Sequence, residues 1–327
     1  GGDAITVAGF TGAAAGSMDG GVYTADTVLF TVANGVGANN AVVLAGTETI
    51  TIANTTVGGV NVVNTNNNPV FATVTSGGAG DITFDQNGTG MLRVVQMTTA
   101  NGDIVVTADS DVMTHQVVSG TNGDIHVLAN DGSITVMDLG ISAAGSGEIV
   151  LTATGDANDV TVNAVVQSTA GPITLNAADD AMLYAVVRVN NGLNAVSVNA
   201  GGDILAESDI ITLGGTVNLL AGGAILDTTS AATGISAAVL NILGATGVGT
   251  DLDGIATTSD NGWLDTNIDV LNVAGVDGSV FVLERNDIVM GAVDVALAHN
   301  EHLALHAANI NLGVVKGAAG TVTLVAS

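Results

Sequence analysis

A short motif, Gly-Asp-Ile followed by alternating apolar and other residues, returns along this chain at nearly equal intervals. It opens at Gly80, Gly102 and Gly123, and related forms open at Gly147 and Gly171. Successive copies begin 21 to 24 residues apart. A fixed period of this length is typical of repeat proteins, in which each repeat is one structural unit that stacks on the next.

Each copy of the motif has the period-two pattern of a β-strand. In the copy at Gly102, Ile104, Val106 and Ala108 point to one face, and Val105 and Thr107 point to the other. A second short run often follows within the same repeat, as in "GSITVMD". The sequence therefore predicts an all-β fold, a parallel β-helix or β-solenoid, with about 20–24 residues per rung.

The Gly-Asp pair is interpreted as the corner of a rung. Glycine supplies backbone freedom for a sharp turn, and aspartate accepts hydrogen bonds from nearby amides. Aromatic residues make up only 2% of the chain. We therefore expect a narrow core of Val, Ile, Leu and Ala.

A second, longer period is visible in the order of the matches. "GGDAI" at Gly1 returns as "GGAI" at Gly222, and three further segments return in the same order at offsets of 211 to 221 residues. The sequence predicts a single continuous solenoid over 1–327, with a tandem module 1–220 and a partial second copy 221–327. The pattern shows no polar capping segment at either end, which favours a piece of a longer array or a subunit that stacks on its neighbours.

The repeats resemble a known family in three features: the "GDI-x-V-x-A" rungs, the "AGGAI" elements, and the segment "IDVLNVAGVDGSVFVLERNDIVMGAV". They are similar to the haemagglutinin-type repeats of giant bacterial surface proteins, the filamentous-haemagglutinin-like and autotransporter-adhesin passengers. The similarity covers most of the chain from Gly80 onward. It implies a right-handed parallel β-helix, secretion, an extracellular or cell-surface location, and roles in adhesion, biofilms or surface fibres.

The charge balance excludes two classes of partner. Four basic residues face 31 acidic ones, for a formal net charge of -27. Nucleic acid is excluded because phosphate binding needs clustered Lys and Arg. Direct membrane insertion is excluded because no apolar run approaches the roughly 18 residues of a spanning segment. Such a charge favours solubility and attracts cations.

Calcium is the one metal that the residue types favour. Stacked corner aspartates provide hard oxygen ligands, and the weak candidates are Asp179, Asp180, Asp251 and Asp253. The glycine-aspartate nonapeptide of calcium β-rolls is absent. No other cofactor is predicted.

The histidine cluster "HNEHLALH" does not predict a zinc site. On a strand, Leu303 and Leu305 point inward while His302 and His306 point outward. These two histidines then lie roughly 13 Å apart by strand rise, too far to share one metal. We expect an outward polar row that includes His299 nearby.

Catalysis is not predicted, and no catalytic residue is assigned. The acid pairs Asp251/Asp253 and Asp179/Asp180 are interpreted as turn residues. The least favoured function is that of a polysaccharide-degrading β-helix enzyme. It would need an acid pair that faces a cleft and has a basic neighbour.

The predicted function is mechanical: a structural segment of a large secreted surface protein that forms a stalk or extracellular filament. The predicted partners are other copies, by end-to-end self-association, or the rest of a longer chain. The alternative is an adhesin surface that binds glycans or other cells. Its weak ligand-binding candidates are Tyr184, Trp263 and the irregular insertion Thr257–Asn267, against a second reading in which Trp263 covers the core.

Overall fold

A computed structural model of the protein describes residues 3–8, 16–228, 234–250, 262–295, 301–317 and 321–326. These residues form 32 mostly parallel strands and no helix, and the strands stack as a β-solenoid of about 13 turns. The predicted all-β solenoid is confirmed. The part of the chain that the structure describes contains no helix long and apolar enough to cross a lipid bilayer.

The chain divides into two compact units, residues 1–171 and 172–327. In unit 1 the strands form two parallel stacks. The first stack is β1 (Ala4–Ala8), β3 (Thr27–Val32), β5 (Thr49–Asn54), β7 (Val70–Ser76), β9 (Leu92–Thr99), β11 (Val112–Ser119) and β13 (Ile134–Ala143), and β13 pairs with both β15 (Val160–Val162) and β16 (Val166–Ser168). The second stack is β2 (Val22–Thr24), β4 (Val42–Ala45), β6 (Val60–Thr65), β8 (Ile82–Asn87), β10 (Ile104–Ala108), β12 (Ile125–Ala129) and β14 (Ile149–Ala153).

Unit 2 has three stacks, two of which run through the whole unit. The first is β17 (Ile173–Ala177), β20 (Val196–Ala200), β23 (Thr216–Ala221), β25 (Ile235–Ile242), β27 (Leu264–Val276), β29 (Asp287–Val295) and β31 (Asn309–Gly317). The second is β18 (Ala181–Leu183), β21 (Ile204–Ala206), β24 (Ala224–Leu226), β26 (Gly247–Val248), β28 (Val280–Glu284), β30 (His302–Ala307) and β32 (Thr321–Ala326). The third, β19 (Val187–Val189) and β22 (Ile210–Thr212), continues into the first half of β25.

The length of a turn agrees with the prediction. Hydrogen bonds between equivalent corner residues of neighbouring turns join residues 22, 21 and 24 apart in unit 1, and 23 and 21 apart in unit 2. One turn is longer: the side chains of Asn241 and Asn272, 31 residues apart, pair directly. Within this turn the Thr250 amide donates to the Gly262 carbonyl at 2.6 Å.

The core is built from columns of aliphatic side chains. Ile82, Ile104, Ile125 and Ile149 lie in register in four successive turns of unit 1, and each is 0% exposed. These are the isoleucines that follow the Gly-Asp corner or its Gly-Glu variant. The predicted inward face and aliphatic core are therefore confirmed in this stack.

Asparagine side chains form a ladder on an outer face of unit 2. Asn241 donates its side-chain amide to the Asn218 carbonyl oxygen at 2.8 Å, and Asn272 donates to Asn241 at 2.8 Å. The Asn272 oxygen accepts the backbone amide of Ala292 at 2.9 Å. Stacked amides of this kind fix the register between turns because each can both donate and accept.

Candidate functional site

The aspartates of the Gly-Asp corners form a column of hydrogen bonds between turns of unit 1. The Asp81 carboxylate accepts the backbone amide of Asp103 at 2.9 Å, and Asp103 accepts the amide of Asp124 at 2.9 Å. Asp124 accepts the amide of Glu148 at 2.8 Å. The expected corner role of aspartate is therefore found, but each carboxylate binds the next turn rather than its own.

The glycines of the same corners are required for space rather than for backbone freedom. Gly102, Gly123 and Gly147 do not adopt positive φ. A Cβ added at any of them would overlap the backbone carbonyl of the corner glycine one turn earlier. Glycine was predicted here because it can adopt special turn conformations, and that reason was wrong. Glycine is needed because the corner backbones of neighbouring turns stack too closely to admit a side chain.

The calcium candidates that the structure describes, Asp179 and Asp180, lie between β17 and β18 in unit 2. The Asp180 carboxylate accepts the amide of Asp203 at 2.6 Å, and the Asp179 carbonyl accepts the amide of Gly202 at 2.9 Å. Asp203 in turn accepts the amide of Ala224 at 2.6 Å. These carboxylates repeat the corner column of unit 1. The other two candidates, Asp251 and Asp253, lie outside the described residues, and calcium binding stays a prediction.

Trp263, one of the ligand-binding candidates, is buried, in agreement with the second reading, in which it covers the core. Its side chain is 1% exposed and its ring lies 5.4 Å from the Phe281 ring and 4.8 Å from the His306 ring. The indole covers Phe281 of β28 and Ala304 of β30. Residues 257–261 of the predicted insertion lie outside the described residues. Tyr184, the other candidate, follows β18 and is 49% exposed. Its role as a ligand contact stays a prediction.

Strand β30, which carries His302 and His306, has the predicted inward leucines and outward histidines. Leu303 and Leu305 of β30 are fully buried, and His302 and His306 are partly exposed. His306 packs against Trp263 instead of extending freely into solvent. The third histidine, His299, lies outside the described residues.

Unit 2 has a small pocket of about 220 Å³ with an acid pair and a basic neighbour. Asp209, Asp265 and Arg285 line it, and Arg285 Nη2 lies 3.6 Å from Asp265 Oδ2. The Asp209 carboxylate also accepts the amide of Gly234 at 2.9 Å. Both carboxylates thus have partners within the fold, one a backbone amide and the other a guanidinium.

Burial is the main cause of the raised pKa values of Glu284, Asp265 and Asp85. Burial raises the pKa of Glu284 even though the Thr266 hydroxyl and three backbone amides donate to it. Burial also raises the pKa of Asp265, against the effect of Arg285, and that of Asp85, where the Asp109 charge adds to it. Hydrogen bonds from the backbone and side chains of neighbouring asparagines lower the pKa of Asp19 instead.

Mild acidification is expected to stabilise the protein. A carboxyl group whose pKa is higher in the folded than in the unfolded state contributes its full stabilisation below its unfolded pKa, which is 4.5 for Glu and 3.8 for Asp. That stabilisation is lost as the pH rises through the folded-state pKa. Protonation of carboxylates also reduces the repulsion among the acidic residues that give the net charge of -27, and this too stabilises the fold. The lowered pKa of Asp19 acts oppositely, but only as pH falls below 3.8.

Differential scanning calorimetry between pH 4 and pH 8 tests this expectation. The melting temperature should be higher at pH 5 than at pH 7, and Glu284→Gln should reduce the difference. A melting temperature that falls steadily from pH 7 to pH 5 would contradict it.

A second pocket, of about 340 Å³, lies on an outer surface of unit 1 where the strand alternation is interrupted. The interruptions are Val95 in β9, His115 and Gln116 in β11, and residues 137–139 in β13, and we call them the bulge column. The pairing register shifts here, so consecutive residues point outward instead of alternating. The pocket is lined by Phe71 and Arg93 beside residues of the bulge column.

Side chains of four chemical types meet in this pocket. The Arg93 guanidinium lies 5.8 Å from the centre of the Phe71 ring. His115 Nδ1 and Asp138 Oδ2 are 2.6 Å apart. Phe71 is 41% exposed and Leu139 is 72% exposed. The pocket therefore combines an aromatic ring, a cation, an imidazole–carboxylate pair and aliphatic surface.

The sequence reasoning missed this pocket, although a signal for it was present. In "RVVQM" (93–97) two outward residues, Val95 and Gln96, separate the inward Val94 and Met97, so the period-two pattern breaks. A comparable break occurs at "THQV" (114–117), one turn later. Breaks at the same place in neighbouring repeats predict a stacked bulge, a feature found often beside functional sites.

Comparison of this chain with protein-family models, with curated proteins and with solved structures gives no match.

Proposed function

We propose that this chain is a structural segment of a large secreted surface protein, in which stacked β-rungs form a stalk or extracellular filament. The observation that carries the proposal is the corner column, in which carboxylates such as Asp81, Asp103 and Asp124 each bind the next turn. Together with the backbone ladder, these bonds make each turn a support for the following one. In solenoids the stability is roughly a sum over turns and their interfaces, so length can be added without a new core.

The aliphatic core supports the same proposal. Column residues such as Ile104 and Ile125 are fully buried and lie in register with their neighbours. A core of this kind repeats the same contacts in each turn and needs no unique packing at any one position. The resemblance to haemagglutinin-type repeats is compatible with this architecture, and we propose the extracellular or cell-surface location on that basis.

Self-association end to end, or continuation into a longer chain, is part of the proposal. A net charge of -27 opposes side-by-side association of parallel copies, because like charges repel over a Debye length of about 8 Å at physiological salt. Divalent cations reduce that repulsion. The chain acts without catalysis in this proposal, and the carboxylates of the small unit 2 pocket serve the fold.

Sedimentation and electron microscopy of the purified chain test the proposal. Association into linear assemblies is expected to grow with protein concentration, and lateral bundling with added Ca²⁺ or Mg²⁺. Antibody labelling of intact source cells is expected to place the protein at the surface. Monomers at every concentration, or a protein found only inside cells, would count against the filament and the location respectively.

A second candidate function, an adhesin surface that binds glycans, is favoured by the pocket beside the bulge column. In this pocket the exposed Phe71 lies beside Arg93. The stacking of turns does not require such a pair, whereas a binding surface would use it. The chemistry of this pocket is developed below.

A further inference from the structure

Arg93 is the most informative residue of the pocket beside the bulge column. The chain has 31 acidic and four basic residues, so a surface arginine is surrounded by possible carboxylate partners. Yet within the part of the chain that the structure describes, the Arg93 side chain makes no hydrogen bond or ion pair and interacts with the Phe71 ring. Its five N–H donors form a planar fork, a shape that binds two neighbouring oxygen atoms at once.

The polar groups around Arg93 can both donate and accept hydrogen bonds. His115 Nδ1 is 2.6 Å from Asp138 Oδ2, which leaves Nε2 and the second Asp138 oxygen for other partners. The Gln116 side chain adds an amide donor and a carbonyl acceptor. A ligand rich in hydroxyl groups matches this set, because each hydroxyl is at once a donor and an acceptor.

The apolar part of the pocket is flat and open rather than deep. Phe71, Val95 and Leu139 are 41%, 43% and 72% exposed. The ring and the two aliphatic side chains present a surface against which the C–H face of a sugar ring can pack. A long aliphatic chain would need a more enclosed groove.

The charges favour a neutral ligand over an acidic one. Asp138 is 61% exposed at the rim of the pocket, and its charge repels an anion. The net charge of -27 adds a long-range repulsion, which Arg93 opposes locally. For a neutral sugar the same Arg93 and Asp138 are both useful, since one donates to hydroxyl oxygens and the other accepts from hydroxyl hydrogens.

We propose that the pocket formed by Phe71, Arg93 and the bulge column binds a neutral pyranose unit of a glycan. The ring of the sugar lies against Phe71 and Val95, vicinal hydroxyls bind the Arg93 fork, and Gln116 and Asp138 bind further hydroxyls. This inference rests on the second candidate function and not on the filament proposal. Because the contact area is small and exposed, a single unit binds with a Kd on the order of 1 mM.

Ligand-detected NMR titration of the whole chain tests the proposal. The probes are neutral tetrasaccharides of a β1,4-glucan, an α1,4-glucan, a mannan and a galactan, with a uronate tetrasaccharide as the acidic comparison. Phe71→Ala is expected to weaken neutral-glycan binding about tenfold, the usual scale of one aromatic contact. Arg93→Lys is expected to weaken it to a similar extent, because lysine keeps the charge but loses the fork.

The matched control is Arg188→Lys on the outer face of β19, which makes the same chemical change outside this pocket. It should leave binding unchanged, and thermal unfolding should show that all three variants are folded. Binding of at least one neutral probe with this variant pattern supports the proposal. It is overturned if no neutral probe binds at about 10 mM, if the uronate binds more tightly than its neutral counterparts, or if Phe71→Ala and Arg93→Lys have no effect. Sedimentation of the same variants is expected to match the unmodified chain, so a failure here is distinct from a failure of the filament proposal.

Discussion

Gly123→Ala is expected to destabilise unit 1 by about 3 kcal/mol, at the upper end of the range for overpacked sites. The added methyl group would overlap the backbone carbonyl of Gly102, one turn earlier, and the hydroxyl of Ser119. The carbonyl cannot move away easily, because it is part of a stacked corner and accepts a hydrogen bond from Ser119 Oγ at 2.9 Å. The two turns must therefore separate locally.

Urea denaturation measures the loss, and hydrogen exchange shows where it falls. Amides of β10 and β12, the strands that follow the two corners, should lose protection first. Gly247→Ala is the matched control: Gly247 also lacks a positive φ, and an added Cβ would meet only the Ser279 carbonyl at an ordinary 3.6 Å. Equal effects of the two substitutions would show that close corner stacking is not the reason for glycine at position 123.

Glu284→Ala is expected to destabilise unit 2 by about 3 kcal/mol, from buried donors left without acceptors. Glu284 is 3% exposed. Its carboxylate accepts the Thr266 hydroxyl at 2.7 Å and the amides of Ile268, Arg285 and Asn286 at 2.8–3.2 Å. Alanine removes the acceptor for all four groups and leaves a cavity beside them.

Glu284→Gln separates the charge from the hydrogen bonds. The glutamine carbonyl oxygen can retain the backbone amides, and the Thr266 hydroxyl can turn to accept from the side-chain amide. We therefore expect Glu284→Gln to cost less than about 1 kcal/mol near pH 7. Chemical denaturation of both variants at pH 7 gives the comparison. A Gln variant as unstable as the Ala variant would mean that the negative charge itself is needed.

The features that repeat were predictable from the sequence, because one repeat tests the interpretation of the next. Ile104 and Ile125 follow the same motif and alternate with polar residues in the same way, and both lie in the core column. The corner aspartates were also recognisable as hydrogen-bond acceptors. Their partner was not, because the amide they bind belongs to the next turn and is brought there only by stacking.

The features that occur once were left open or missed. For Trp263 the sequence left two interpretations open, a ligand contact or a residue that covers the core, and the side chain is buried against Phe281 and Ala304. The pocket at Phe71 and Arg93 depends on bulges that shift the register by a residue or more. Periodicity predicts what is common to the repeats, whereas these two features are departures from it.

The corner column also has a direction. The amide of Asp103 donates back to Asp81, that of Asp124 to Asp103 and that of Glu148 to Asp124, so the bonds at this corner all point the same way along the chain. A turn therefore offers carboxylate acceptors on the side of its successor and amide donors on the side of its predecessor. Two copies joined through this pattern would have to meet head to tail, with the carboxylate side of one copy against the amide side of the other. Contact between two carboxylate sides would place like charges against each other. Such a contact is heterologous and does not close on itself, which gives the assembly a polarity, with one end chemically distinct from the other.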